Sequence, residues 1–467
     1  MTAQGTTPGP RSTAGPAPAK APTPSIRVSL RAPLTPTGPA HTSRPPEGPP
    51  GRPLLDPRGA AVVLGGADPL LDLPFAPPVP AAPLPGPGGA PAEPPMRVAL
   101  VEPTPSSLFG PRGAYLFADE GPLLVADTGH HRVLGWHRRP TKDGQAADFL
   151  LGQPDYVTEA RNAGGTPSAL TMNVPTGIGP FGERGLFVCD AWNSRVLVWR
   201  ERPRESGVPA DFVLGQADFT GELPNRGGIA DACGPETMHW PFQALQVGER
   251  FVVADTGNRR LLVWDTLPTE TGQPADRVIG QPTAHARHDN GGDGADACSF
   301  RWPHDLAVIE GPKGPNLVVT DAGNNRVLIW DGFPAEAKTP ASLILGQSDS
   351  RGVDHNQGSY WPTASALNMP YAVATLGDWI VAADTASSRL VGWNAPATTG
   401  VAAEALSAQD HFRAKGDNRW GVTTRDSLCW PYGLQLRPDV AVVVDTGNHR
   451  VLLWDLAEGI APGTGAR

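Results

Sequence analysis

The chain has 467 residues and a net charge of −9, with 39% hydrophobic and 18% charged residues, 55 glycines and 54 prolines. No apolar run approaches the ~20 residues of a membrane span, and none near the start resembles a signal-peptide core. Four cysteines do not make a disulfide framework, so a reducing, cytoplasmic location is the default expectation.

Residues 1 to about 55 are Pro, Ala, Thr, Ser and Gly with almost no large apolar side chains. Such a stretch cannot bury enough surface to offset its ordering entropy. Residues 1–58 are therefore expected to be a disordered tail, carrying about +5 against about −14 for the rest. It reads as a solubilising extension that could also touch an acidic partner. The acidic body argues against sequence-independent nucleic-acid binding, which needs a basic footprint.

Past the tail, residues 61–68 (Ala-Val-Val-Leu-Gly-Gly-Ala-Asp) match Phe-Val-Leu-Gly-Gln-Ala-Asp at 212–218. Six segments then align without gaps, beginning with VADTGHHRVLGW and ending with VVDTGNHRVLLW. Their aspartates are Asp127, Asp190, Asp255, Asp321, Asp384 and Asp445. An arginine follows five positions after each (Arg132, Arg195, Arg260, Arg326, Arg389, Arg450) and a tryptophan nine positions after (Trp136, Trp199, Trp264, Trp330, Trp393, Trp454).

Each motif predicts strand, turn, strand. The residues before Asp are β-branched or apolar, and the Asp-Thr-Gly-Asn type tetrapeptide has turn chemistry. Arg-Val-Leu-x-Trp is apolar on both faces, as in a sheet stacked between two others. A further strand ends at Gly152–Gln153, Gly215–Gln216, Gly280–Gln281 and Gly346–Gln347, with a degenerate copy near Ala408–Gln409. Another opens at Pro175, Pro241, Pro303, Pro370 and Pro431, an acceptable place for proline because no ladder donor is lost. Each repeat thus supplies four strands, a to d from the inside outward. The sixth lacks strand d, and residues 61–68 are predicted to supply it. The expected fold is an all-β, six-bladed β-propeller over residues 59–458, its ring closed by pairing the two ends of the chain. Residues 459–467 are expected to be a short disordered end.

The Asp-Thr-Gly-Asn-x-Arg-Val-Leu-x-Trp signature, with its Leu-Gly-Gln-Pro-Asp and Asn-x-Gly-Gly elements, resembles the NHL repeat family over about 60–456. The resemblance implies the propeller fold. For function it implies several classes: protein-interaction platforms, RNA-binding domains and a zinc-dependent amidating lyase. Single-propeller bacterial members imply a further possibility, metalloenzyme assembly such as hydrogenase maturation. Fold analogy does not choose among these.

The Asp motifs recur every 61 to 66 residues, whereas a four-stranded blade needs only ~40–50. The excess lies in the d-to-a connections, residues 154–173, 217–239, 282–301, 348–368 and 410–429. Alternating strand direction puts these loops and the Asp-Thr-Gly-Asn turns on one face, the expected binding side. The residues following the strand-a prolines, Arg112, Thr176, Phe242, His304, Tyr371 and Tyr432, with Asp305 next to His304, are expected at the mouth of the central channel. They are the candidate binding residues, and a plug of mixed side chains is the competing reading.

No catalytic set, metal site or cofactor is assigned. A zinc lyase needs converging imidazoles, but only His304 holds a mouth position; His239, His285, His288, His355 and His411 share no register. A calcium cage needs several inward carboxylates, and the repeated aspartates are spaced for Asp–Arg pairing and turn capping instead. Cys233, Cys298 and Cys429 fall in d-to-a loops without a Cys-x-x-Cys and read as structural thiols, as does Cys189 in its strand. The expectation is a monomeric, non-catalytic scaffold that binds a protein partner through its loop-rich face. The alternative is a lyase or hydrolase at the channel mouth.

Overall fold

The computed structural model describes residues 47–66 and 102–460. Most of the expected tail, the segment 67–101 and residues 461–467 lie outside the described residues. Six sheets of antiparallel strands follow one another along the chain, the first five each built on four consecutive strands. In blade 2 these are Pro175–Phe181 (a), Gly185–Asp190 (b), Arg195–Trp199 (c) and Phe212–Leu214 (d). The b-to-c turns are single 3₁₀ turns, Ala191–Asn193 in blade 2, each left through a residue in the left-handed region such as Ser194.

Blade 6 holds strands a to c at Pro431–Leu436, Val440–Asp445 and Arg450–Asp455. Its fourth strand is Val62–Gly65, with Val62 opposite Leu453 and Leu64 opposite Val451. The ring therefore closes as the repeat count requires. A second seal shows in the tryptophan donors. Trp199 Nε1 donates to the Val208 carbonyl, nine residues on in its own blade. The chain beyond Trp454 runs out of blade, and its Nε1 donates to the Asp56 carbonyl instead, at 2.8 Å.

The tail was expected to extend to residue 58, but residues 52–55 are part of the fold. Arg52–Pro53 pairs in parallel with Ala405–Leu406, giving blade 5 a fifth, two-residue strand. Leu54 and Leu55 are 2% exposed and join the core between blades 5 and 6. Two leucines after a long Pro-rich run are too little apolar pattern to show as an element in the sequence, yet their burial is worth several kcal/mol. At the other end Ile460 is buried with them, inside the segment expected to be disordered.

The cores lie between neighbouring blades. The sheet of blade 2 packs against that of blade 3 through Phe187, Val196 and Val198 on one side and Phe251, Val253 and Leu262 on the other. All six motif tryptophans are at most 2% exposed, as expected for strands covered on both faces. The inner strands also bond across blades. Thr176 Oγ1 donates to the Phe242 carbonyl at 2.8 Å, Thr375 Oγ1 to the Val308 carbonyl at 2.6 Å, and Gln435 takes both the N–H and the carbonyl of Leu116. Gly113 allows one such approach, because a Cβ there would stand 2.0 Å from the Thr176 carbonyl oxygen.

Candidate functional site

Each motif aspartate is a buried hub. In blade 2, Asp190 Oδ2 accepts from Arg195 Nε and from Asn193 Nδ2, both at 2.7 Å. Its Oδ1 accepts the Asn173 backbone N–H at 2.6 Å, just ahead of strand a. The Arg195 Nη2 donates to the Ser168 and Thr171 carbonyls of the incoming loop. The expected Asp–Arg pairing is present in all six blades. The aspartates cap no backbone N–H of the 3₁₀ turn itself; they tie the turn to the loop that precedes the blade. Burial raises the Asp190 carboxyl above its ordinary value, opposed by the Arg195 charge.

Two further sets of residues hold the loops. Gln153, Gln216, Gln281, Gln347 and Gln409 each donate through Nε2 to carbonyls of the nearest b-to-c turn and to a loop carbonyl seven residues on. Nine residues after each glutamine stands an asparagine with positive φ: Asn162, Asn225, Asn290, Asn356 and Asn418. Four of them exchange amide hydrogen bonds with the turn asparagine of the next blade, as Asn162 does with Asn193 at 3.2 and 2.8 Å. Blade 5 is the exception. Ser387 stands in the turn there, and both side-chain atoms of buried Asn356 are without a partner. The constant spacing of nine from Gln to Asn was the sequence signal for this network, whereas the roles of both residues emerge only from the contacts.

The channel-mouth residues do come together, but not as an open ring. Thr176, Phe242, His304, Asp305 and Tyr371 are all buried. The His304 ring stacks on Tyr371 with centroids 4.2 Å apart and meets Phe242 at 4.1 Å. Tyr371 meets Tyr432 edge-on at 4.5 Å, and the Arg112 guanidinium lies 5.2 Å over the Tyr432 ring. Burial first, and then the Arg112 charge, depress the His304 pKa to about 3, so its imidazole is neutral at neutral pH. Burial pushes the Asp305 carboxyl up to about 7, although it accepts the N–H groups of Val373 and Leu306. These aromatic rings fill the channel at the loop-side end.

Beneath them a cavity of about 250 Å³ runs along the axis, lined by strand a of every blade. The lining residues become more exposed along strand a, from buried Phe242 to half-exposed Gln246 and from Asp305 to Val308. The cavity therefore faces the a-to-b turns, at the end of the ring opposite the long loops.

The loop-rich face differs from the rest of the surface. Eleven large apolar side chains are exposed among the described residues, and all belong to this face. Val157, Leu170, Leu223, Ile229, Tyr360, Trp420 and Val422 sit in the d-to-a loops, Trp192 in a b-to-c turn, and Phe109, Trp302 and Trp430 just before strands a. The cysteines of these loops are free thiols. Burial raises the pKa of Cys233 and Cys298, and that of Cys429 to about 12. Among the described residues no three His, Cys, Asp or Glu side chains converge where they could hold a metal ion, and no helix is long and apolar enough to cross a membrane.

No family model and no curated protein matches this chain. Among solved structures it is similar to a streptogramin B lyase (9% identity, TM-score 0.37, covering 73% of this chain and 78% of that one). It is also similar to hydrazine synthase of Kuenenia stuttgartiensis (14%, 0.42, 76% and 97%) and to virginiamycin B lyase from Staphylococcus aureus (10%, 0.38, 75% and 96%). Identities this low reach no further than the fold, which the six blades already establish: an all-β, six-bladed propeller.

Proposed function

We propose that this propeller, of the NHL type its motif resembles, is a rigid platform that docks a protein partner on its loop-rich face. One observation carries the reading: every exposed large apolar side chain among the described residues lies on that face. Soluble proteins normally scatter such residues singly, and concentration on one side marks an interaction surface. The tryptophans and the tyrosine are the residue types that anchor protein interfaces. The Gln and Asn network supports the reading, because it holds long loops in one arrangement and so lowers the ordering cost of binding.

The competing reading, a lyase or hydrolase at the channel mouth, has less support. The residues that would do the chemistry pack on one another, and His304, held neutral, makes a poor proton shuttle near pH 7.

The test is affinity capture from the source organism's lysate, using the native chain and a variant carrying Trp192→Ser, Ile229→Ser, Tyr360→Ser and Trp420→Ser. Circular dichroism and thermal unfolding verify the fold of the variant. A partner retained by the native chain and lost from the variant supports the platform. Equal retention by both, or no specific partner for either, rejects it.

A further inference from the structure

The axial cavity carries a charge pattern that wall-building does not explain. Of its lining residues only Arg112 and Asp305 are ionisable at neutral pH. They come from blades 1 and 4, which face one another across a ring of six. Asp305 has work in the wall, accepting N–H groups from its own strand and from blade 5. The Arg112 guanidinium has none. No carboxylate pairs with it among the described residues, its Nε is buried without a hydrogen-bond partner, and it lies over the Tyr432 ring.

An unpaired guanidinium in a partly dry site is costly. The six buried arginines of the repeat motif are each matched by an aspartate, as Arg132 is by Asp127 at 2.8 Å. Arg112 stands apart from that rule and lines a space large enough for a small molecule: an apolar cavity of ~150 Å³ already holds benzene. A guanidinium fork matches planar oxyanions in a bidentate manner. The Asp305 carboxyl on the far wall, partly ionised near pH 7, disfavours a multiply charged guest and suits a singly charged one with a hydroxyl or amino group at its other end.

We propose that the axial cavity binds a small monocarboxylate, held by Arg112 and admitted from the face opposite the long loops. This site is independent of partner docking, so the two ideas fail separately.

The experiment is isothermal titration of the full chain at pH 7 with monocarboxylates of two to six carbons, with and without a hydroxyl or amino group. Phosphate and sulfate form the comparison arm, and Arg112→Gln and Arg112→Lys are the variants. The expected result is saturable binding of at least one carboxylate, weakened tenfold or more in Arg112→Gln and less in Arg112→Lys, which keeps the charge without the fork. Should Arg112→Gln fail to fold, the Arg112→Lys decrease decides. No binding across the panel, unchanged affinity in the variants, or phosphate and sulfate binding as tightly as the carboxylates would each overturn the proposal.

Discussion

Ser387→Asn should stabilise the propeller, because it restores an interaction that the other paired blades have. In blade 2 the turn asparagine makes three hydrogen bonds: two with Asn162 and one from its Nδ2 to Asp190. In blade 5 Ser387 makes none of these, and Asn356 is 1% exposed with neither amide atom paired. The three restored bonds, at about 1 kcal/mol net each, are worth about 2–4 kcal/mol, relief of the buried unpaired amide included. Ordering the larger side chain takes back up to about 1 kcal/mol. The net gain should be about 1–3 kcal/mol, or about 1–4 °C in Tm for an ordered ring of this length. Urea and thermal midpoints of four chains measure it: native, Ser387→Asn, Asn356→Ala, and the double variant. The gain should disappear when Asn356 is absent. A Ser387→Asn chain no more stable than native, or a gain that survives Asn356→Ala, would refute the pairing argument.

Three other outcomes follow from the geometry. Asp190→Asn leaves the fully buried Arg195 charge uncompensated and should cost about 3–5 kcal/mol by denaturant midpoint; disrupting the exposed Arg184–Glu201 pair should cost nothing measurable. His304 titrates near 3 in the fold against an ordinary 6.5, so its unfolded form binds the extra proton and stability is lost as pH falls from about 6.5 towards 3. Asp305, raised to about 7 from 3.8, acts in the opposite sense, losing stability as pH rises from about 4 through 7. The two therefore offset one another between about pH 4 and 6.5, and His304→Phe, which fits the aromatic cluster, should gain on the native chain as pH falls through that window; parallel pH–stability profiles would exclude this. A chain starting at residue 59 should be less stable by at least about 3 kcal/mol than one starting at residue 47, because it lacks Leu54, Leu55 and the Asp56 acceptor of Trp454; equal unfolding midpoints would show that this segment adds no stability.

The sequence by itself determined the repeat count, the four strands of each blade and the closure through Val62–Gly65. These follow from local rules repeated six times, with turn chemistry, alternation and a missing strand all in register. It also placed the long loops on one face, since strand direction alternates whatever the side chains do. The structure alone decided the fate of the channel. Arg112, Phe242, His304, Tyr371 and Tyr432 come from five blades, and nothing in the spacing of one blade reveals whether rings from different blades leave a mouth or fill it. The same holds for the unpaired Arg112, because whether a charge has a partner depends on contacts between residues hundreds of positions apart. Leu54 and Leu55 belong with these. Two apolar residues have no period to read, and only the groove between blades 5 and 6 gives them somewhere to go.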